Sequence, residues 1–214
     1  TYNINTHSLI FDVNGGTIVN NDLYNYDSLL PVPTRSHYVF LGWALEEISN
    51  NGIGDYYLQT PDLSMFEGPV NMYATWRAEE YTIIFNVNGG DSVTPTELTV
   101  IYGTTGTFPI AIRTGFTFSG WYKNSDGTSI FSNAGTFSII DLGNDGDIIN
   151  VYAKWIIESY NLVFDENGGS SILNSNYLFG SQLPIPSREG YTFNGWTLEE
   201  EPTNGIGTTY TYTP

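Results

Sequence analysis

Tyr81-Thr82-Ile83-Ile84-Phe85-Asn86-Val87-Asn88-Gly89-Gly90 decides the fold class. Tyr81, Ile83, Phe85 and Val87 alternate with Thr82, Ile84 and Asn86, the period-2 spacing of a strand with one buried face. Asn88-Gly89 then supplies two residues that accept positive φ, as a tight hairpin turn requires. A second strand is expected to follow, ending near Tyr102-Gly103.

The same words recur along the chain. Asn14-Gly15-Gly16, Asn88-Gly89-Gly90 and Asn167-Gly168-Gly169 are each followed by a Gly-Trp pair, at Trp43, Trp121 and Trp196. Tyr-Ala-x-Trp closes two of the units, at Trp76 and Trp155, so all five tryptophans lie in repeated motifs. Self-similarity of this kind signals a modular array. One constant offset brings Leu9 onto Leu162, Trp43 onto Trp196 and Pro61 onto Pro214. It also brings Leu45-Glu46-Glu47 and Asn51-Gly52-Ile53-Gly54 onto Leu198-Glu199-Glu200 and Asn204-Gly205-Ile206-Gly207. The middle unit is longer between its Asn-Gly-Gly and Gly-Trp motifs. The expected modules are 1–78, 79–157 and 158–214, with linkers near Arg77–Glu80 and Ile156–Ser159. The third stops before a closing strand. Three outcomes stay open for it: a longer chain, a mobile end, or a strand from outside its own sequence. Thr1–Thr6 is a conceivable donor for the last, since Tyr2 and Ile4 alternate with polar residues, but it lacks the Trp of the closing motif, and for that segment the route ranks lowest of the three.

Within each unit a proline-containing connector (Pro31–Pro33, Pro109, Pro184–Pro186) precedes the Gly-Trp strand. In Phe116-Thr117-Phe118-Ser119-Gly120-Trp121, strict alternation points the Trp outward; a bulge at Gly120 turns it back in. The closing strands present continuous apolar faces: Val70, Met72, Ala74, Trp76 and Ile149, Val151, Ala153, Trp155. Helix is scarce. Thr60-Pro61-Asp62 has the N-cap and first-turn chemistry of a short helix through Met65-Phe66, and Glu46-Glu47 offers a single turn.

Composition sets the outer bounds. The 214 residues are 40% hydrophobic and 15% aromatic, enough for packed cores. Six basic residues face 23 acidic ones, a formal charge of −17. That field repels nucleic acid, heparin-like glycans and anionic membrane surfaces. With no cysteine, disulfide and thiol chemistry are excluded. No apolar run approaches the ~18 residues of a membrane span. The opening residues carry no signal-like stretch, so the sequence reads as an excised or processed piece.

The order Tyr-x-x-x-Phe-x-x-Asn-Gly-Gly, Tyr-Gly, Pro, Arg-x-Gly-Phe-x-Phe-x-Gly-Trp-Tyr, Tyr-Ala-x-Trp resembles the Listeria–Bacteroides repeat, the family of the internalin B-repeats. Glu80 to Trp155 matches throughout; the first unit departs at Asp27 and at His37, where Gly is usual. The resemblance implies an α+β, strongly β-rich fold: tandem β-grasp-like modules in an elongated array. It also implies export to the bacterial cell surface, a stalk, spacer or adhesive role, and no catalytic residues.

Searched for chemistry, the chain offers little. His7 and His37 lack counterparts in the other units and no Ser stands out beside them. Glu46-Glu47 and Glu199–Glu201 read as solvated acidic loops rather than a glycosidase pair. Asp141, Asp145 and Asp147 are the densest oxygen cluster, and calcium is the one cofactor they leave open. Their spacing is that of an Asn/Asp/Gly turn, not an EF-hand. Arg35, Arg113 and Arg188 recur before the Gly-Trp strand and read as structural. Tyr56-Tyr57 and Tyr210-Tyr212 could form an exposed sugar-stacking surface. The expected function is a non-enzymatic surface repeat segment. The alternatives are a direct protein- or carbohydrate-binding module and a filament subunit completed by strand exchange; the expected partners are a protein or glycan at a surface and neighbouring modules or chains.

Overall fold

The computed structural model describes residues 5–46, 55–132, 136–138, 142–198 and 208–213. Tyr2, Ile4, Glu47, Asn51–Gly54, Asp141, Glu199–Glu201, Asn204–Gly207 and Pro214 lie outside them. The chain divides into two compact units. One comprises Thr1–Ile83, Leu98–Gly106 and Ser138–Ile149; the other Ile84–Glu97, Thr107–Phe137 and Asn150–Pro214.

In the first repeat, β1 (Thr6–Asp12), β2 (Asp22–Asn25), β3 (Tyr38–Ala44) and β4 (Val70–Ala78) form one sheet in the order β2-β1-β4-β3. β1 pairs antiparallel with β2 and parallel with β4, which pairs antiparallel with β3. The closing strand β4 therefore occupies the centre, and its inward residues Val70, Met72 and Ala74 are buried with Leu9, Leu30, Trp43 and Leu63.

The middle repeat repeats this order with additions. Its strands are β5 (Glu80–Asn86), β6 (Glu97–Ile101), β7 (Thr105–Thr107), β8 (Phe116–Tyr122), β9 (Ile130–Ser132), β10 (Thr136–Ser138) and β11 (Ile148–Ile157). The main sheet runs β6-β5-β11-β8-β9, and β10 pairs with β7. The alternation read from Tyr81 to Phe85 is realised, with Tyr81, Ile83 and Phe85 all buried. In the third repeat β12 (Ser159–Leu162) pairs with β13 (Ser175–Leu178).

In the first two repeats the bulge lies at the glycine of the Gly-Trp pair. Phe40 faces Trp76 while Gly42 faces Thr75, which leaves Leu41 unpaired; Phe118 and Gly120 repeat this against Trp155 and Lys154. Gly42, Gly120 and Gly195 have φ of 145°, 136° and 131°, a conformation Cβ-bearing residues avoid. The extra residue turns Trp43 and Trp121 inward, where both are fully buried.

Four expectations are corrected. The fold is strongly β-rich, but among the described residues there is no helix, so the α part of α+β finds no element there. Thr60 begins no helix: its Oγ donates to the Ser28 carbonyl at 3.2 Å, and Asp62 accepts the Ser64 N–H at 3.0 Å in a single turn. That turn drops Leu63 into the core, and core burial outweighs a weak helix-start signal. The Asn-Gly turns have both central φ positive, as at Asn88 (47°) and Gly89 (81°), yet they close no tight hairpin. In the first repeat the partner of Leu9 is Asp22, because the chain detours so that Thr17 N–H reaches the Thr34 carbonyl. Finally, the expected linkers shrink to Glu79 and Glu158, since β4 and β11 run on to Ala78 and Ile157.

Candidate functional site

Each Gly-Trp tryptophan sits in the same aromatic box. Trp43 packs on Phe11, Trp121 on Phe85 and Trp196 on Phe164, with ring centroids 4.5, 4.7 and 4.5 Å apart. The indole N–H donates to the connector carbonyl of Pro31, Pro109 or Pro184 at 2.7–2.8 Å. A buried indole needs such an acceptor, and the proline connector supplies it. Trp43 and Trp121 are therefore core, with no face open for sugar stacking.

The closing tryptophans do a second job. Trp76 and Trp155 donate to the carbonyls of Val13 and Val87 at 3.1 and 2.9 Å, and their rings lie over Gly16 and Gly90. The Asn of each Asn-Gly-Gly turn reaches back: Asn14 and Asn88 donate Nδ2 to the carbonyls of Ala74 and Ala153 at 2.8 and 3.0 Å. Turn and closing strand are thus tied by two side-chain bonds in opposite directions. In the third repeat Asn167 makes no side-chain bond among the described residues, and Gly169 has no ring over it.

The recurring arginines are structural cations. Arg35, Arg113 and Arg188 stack on Tyr38, Phe116 and Tyr191 at 3.8, 3.7 and 4.1 Å from the ring centroids. Arg35 and Arg188 also donate to the carbonyls of Asn14 and Asn167. One planar group thereby holds both the turn and the strand start.

The junctions between repeats are built to one plan, each inside its own compact unit. Glu79 N–H donates to the His37 carbonyl at 3.0 Å, and the Glu79 carbonyl accepts the Tyr102 N–H at 2.8 Å. Glu158 does the same between Gly115 and Phe179, at 3.0 and 2.9 Å. The carboxylate of each Glu takes the hydroxyl of the tyrosine two residues on, Tyr81 or Tyr160. For Tyr160 the Glu158 carboxylate, then burial, raises the phenol's pKa. His37 stacks on Tyr102 with centroids 4.4 Å apart and meets Glu79 at 3.2 Å. At Gly115 the Phe179 ring takes the space of the missing side chain. His37 keeps the left-handed backbone (φ 62°) that glycine supplies at 115 and 190.

The acidic turn is closed by protein groups. Asp145 receives both Arg77 nitrogens, at 3.0 and 2.6 Å, and the Glu80 N–H at 2.9 Å. The Arg77 bond, then the Glu80 bond, hold its carboxyl below the usual range. Asp147 accepts the Asn144 N–H at 2.8 Å. Among the described residues no three His, Asp or Glu side chains converge as metal ligands would. His37 is a junction residue, whereas His7 lies in β1 opposite Tyr24 of β2. Tyr57 and Tyr210 bridge to Trp43 and Trp196 rather than forming an outer platform, while Tyr56 and Tyr212 are exposed. The junction plan escaped the sequence reading, although its parts, Tyr-Gly and Arg-x-Gly, were legible one by one.

The Listeria-Bacteroides repeat domain matches this chain three times, over residues 7–75, 81–154 and 160–214. The chain belongs to the Listeria–Bacteroides repeat family. It is 31% identical over 211 residues to a protein of Evansella cellulosilytica named, provisionally, a Gly-rich membrane protein; the match covers 93% of this chain and 23% of the relative. A second protein of that organism, provisionally named a membrane protein, is 29% identical over 206 residues, or 93% of this chain and 29% of the relative. Internalin H of Listeria monocytogenes is 31% identical over 136 residues, 61% of this chain and 22% of the relative. The chain spans less than a third of the length of each. No solved structure matches it. No helix among the described residues is long and apolar enough to cross a membrane. Two of these relatives are thus named as membrane proteins and one as an internalin, and this chain is a segment of three tandem repeats of the shared family.

Proposed function

We propose that this repeat segment is non-enzymatic and lies outside the cell, where it serves as a spacer holding other parts of a surface protein away from the envelope. The observation that carries the reading is the junction. A strand of one repeat passes into the first strand of the next through a single residue, Glu79 or Glu158, whose N–H and C=O are both bonded across the joint. A joint of this kind transmits position rather than allowing free rotation, as a spacer requires and a flexible linker does not provide. The repeats are read as β-grasp-like, on the strength of the mixed sheet with a parallel central pair in the first of them. The names of the relatives, membrane proteins and an internalin, support the surface location. The partners are taken to be neighbouring repeats and a protein or glycan at the surface; the charge of −17 argues against nucleic acid.

Two measurements test this. Protease treatment of intact cells should remove the segment while a cytoplasmic marker survives; protection of the segment overturns the location. Solution scattering should give an extended pair-distance distribution, and a compact one overturns the spacer role.

A further inference from the structure

The sheet of the first repeat has two faces, and only one builds the core. Along β1, Leu9 is buried and Phe11 packs on Trp43, so alternation puts Ile10 and Asp12 on the opposite face. Along β4, Val70, Met72 and Ala74 are buried, and Asn71 and Tyr73 lie on that same opposite face. The parallel pairing sets Ile10 beside Asn71 and Asp12 beside Tyr73. The four side chains form one block, and they line an open groove of about 380 Å³. That volume falls within the roughly 300–1,000 Å³ of small-molecule sites.

The groups of the block are available to a ligand. Ile10 is 41% exposed, Asn71 is exposed and Tyr73 half-buried. Asp12 accepts the Asn14 N–H at 2.9 Å on Oδ1, which leaves Oδ2 as an acceptor. Among the described residues no side-chain hydrogen bond or ring contact engages Asn71 or Tyr73. The middle repeat carries the same set. Ile84 and Asn86 alternate with the buried Ile83 and Phe85 on β5, and Asn150 and Tyr152 flank the buried Val151 on the neighbouring β11. Asn86 Oδ1 likewise accepts the Asn88 N–H at 2.9 Å. Recurrence of the set on a face that builds no core favours a ligand over packing.

The lining selects the ligand. β1 and β4 are both inner strands of the order β2-β1-β4-β3, so their backbone groups are held in ladders and cannot pair with an added peptide strand. Recognition falls to side chains: a tyrosine ring, an aliphatic chain, an amide that donates and accepts, and a carboxylate that accepts. A pyranose offers the complement, an apolar C–H face for the ring and a rim of adjacent hydroxyls for the amide and carboxylate. The charge of −17 disfavours acidic sugars. We infer that the outer sheet face of the first repeat binds a neutral hexopyranose oligosaccharide, stacked on Tyr73 and Ile10 with its hydroxyls on Asn71 and Asp12. The site is distinct from the exposed Tyr56 and Tyr212. It rests on the surface glycan named in the proposed function, whereas the spacer role is judged by location and shape and stands without it.

The test titrates the isotope-labelled 214-residue chain with cellotriose, maltotriose and mannotriose in turn and follows the nuclear magnetic resonance shifts. At least one sugar should bind, with the largest first-repeat shifts at Ile10, Asn71 and Tyr73; a heparin tetrasaccharide should not. Tyr73→Ala and Asn71→Ala should each weaken binding about tenfold at the Ile10 resonances, the scale of a lost ring contact or hydrogen bond. Tyr73→Phe should keep most of it, because the ring stays. Asn71 is exposed, so Asn71→Ala should leave thermal unfolding unchanged, and it carries the test where Tyr73→Ala lowers the melt. No shifts with any of the three sugars, first-repeat shifts centred away from the block, or binding indifferent to Asn71→Ala overturns the proposal. Stronger binding of the heparin fragment, or a trilysine peptide that shifts the block where the sugars do not, also overturns it.

Discussion

Trp155 closes over Gly90, its indole N–H bonded to the Val87 carbonyl at 2.9 Å and its ring in the place a Cβ would take. Gly90 is not selected for backbone freedom, since its φ is not among the positive ones; it is selected for space. Gly90→Ala should therefore push the ring out and cost about 1–3 kcal/mol, the range for overpacking. Gly169→Ala, with no ring above it, should cost less. Chemical denaturation of the two variants, with indole near-ultraviolet dichroism reporting the displaced ring, checks the pair; equal costs would remove the ring from the explanation.

Trp43→Ala should be among the most damaging single changes. The side chain is fully buried, packed on Phe11 and bonded to Pro31, so truncation should cost about 3–5 kcal/mol. Trp196 has the same partners but is partly exposed, and Trp196→Ala should cost clearly less. Thermal melts of the two variants give the comparison directly.

How far these sites were legible depends on the range of the contacts. Alternation through Tyr81, Ile83 and Phe85 is local, and a strand pattern states it outright. The bulge at Gly120 was also legible, because only an extra residue lets Phe118 and Trp121 share one face. The helix expected from Thr60 was misread because its N-cap chemistry also suits a turn, and Leu63 chose the turn by entering the core. The junction joins Phe179 to Gly115 across two repeats; neither motif names the other, so no periodicity could pair them.

Asp145 should make a measurable pH-dependent contribution. Its carboxyl is held below the usual range by Arg77 first and the Glu80 N–H second. A depressed folded-state pKa gives stability that is present above the unfolded aspartate value, about 4, and is lost as pH falls through the folded one. Asp145→Asn should cost about 0.2–1 kcal/mol at neutral pH, the range for a partly exposed pair. Discharge of the −17 chain toward its pI of 4.1 acts in the opposite sense, so the readout is the difference between parent and variant. That difference should shrink below about pH 4; a gap that persists into acid would assign the effect to packing.

Gly115 and Gly190 separate backbone strain from junction packing. Both hold left-handed backbone, with φ of 74° and 76°. A methyl on Gly190 would meet nothing within 4 Å, whereas one on Gly115 would run into the Phe179 ring. Gly190→Ala should therefore cost only the left-handed strain, about 1–2 kcal/mol, and Gly115→Ala that strain plus displacement of the ring. The excess measures how tightly the third repeat is seated on the second. It should vanish when Phe179 is removed: Gly115→Ala and Phe179→Ala together should cost less than the two changes summed, by about 0.5–3 kcal/mol, the coupling expected of groups in contact. Equilibrium denaturation of the four proteins of this cycle supplies the number. Strict additivity would mean that the ring does not bear on Gly115 in solution, and the joint would then rest on the two backbone bonds of Glu158 alone.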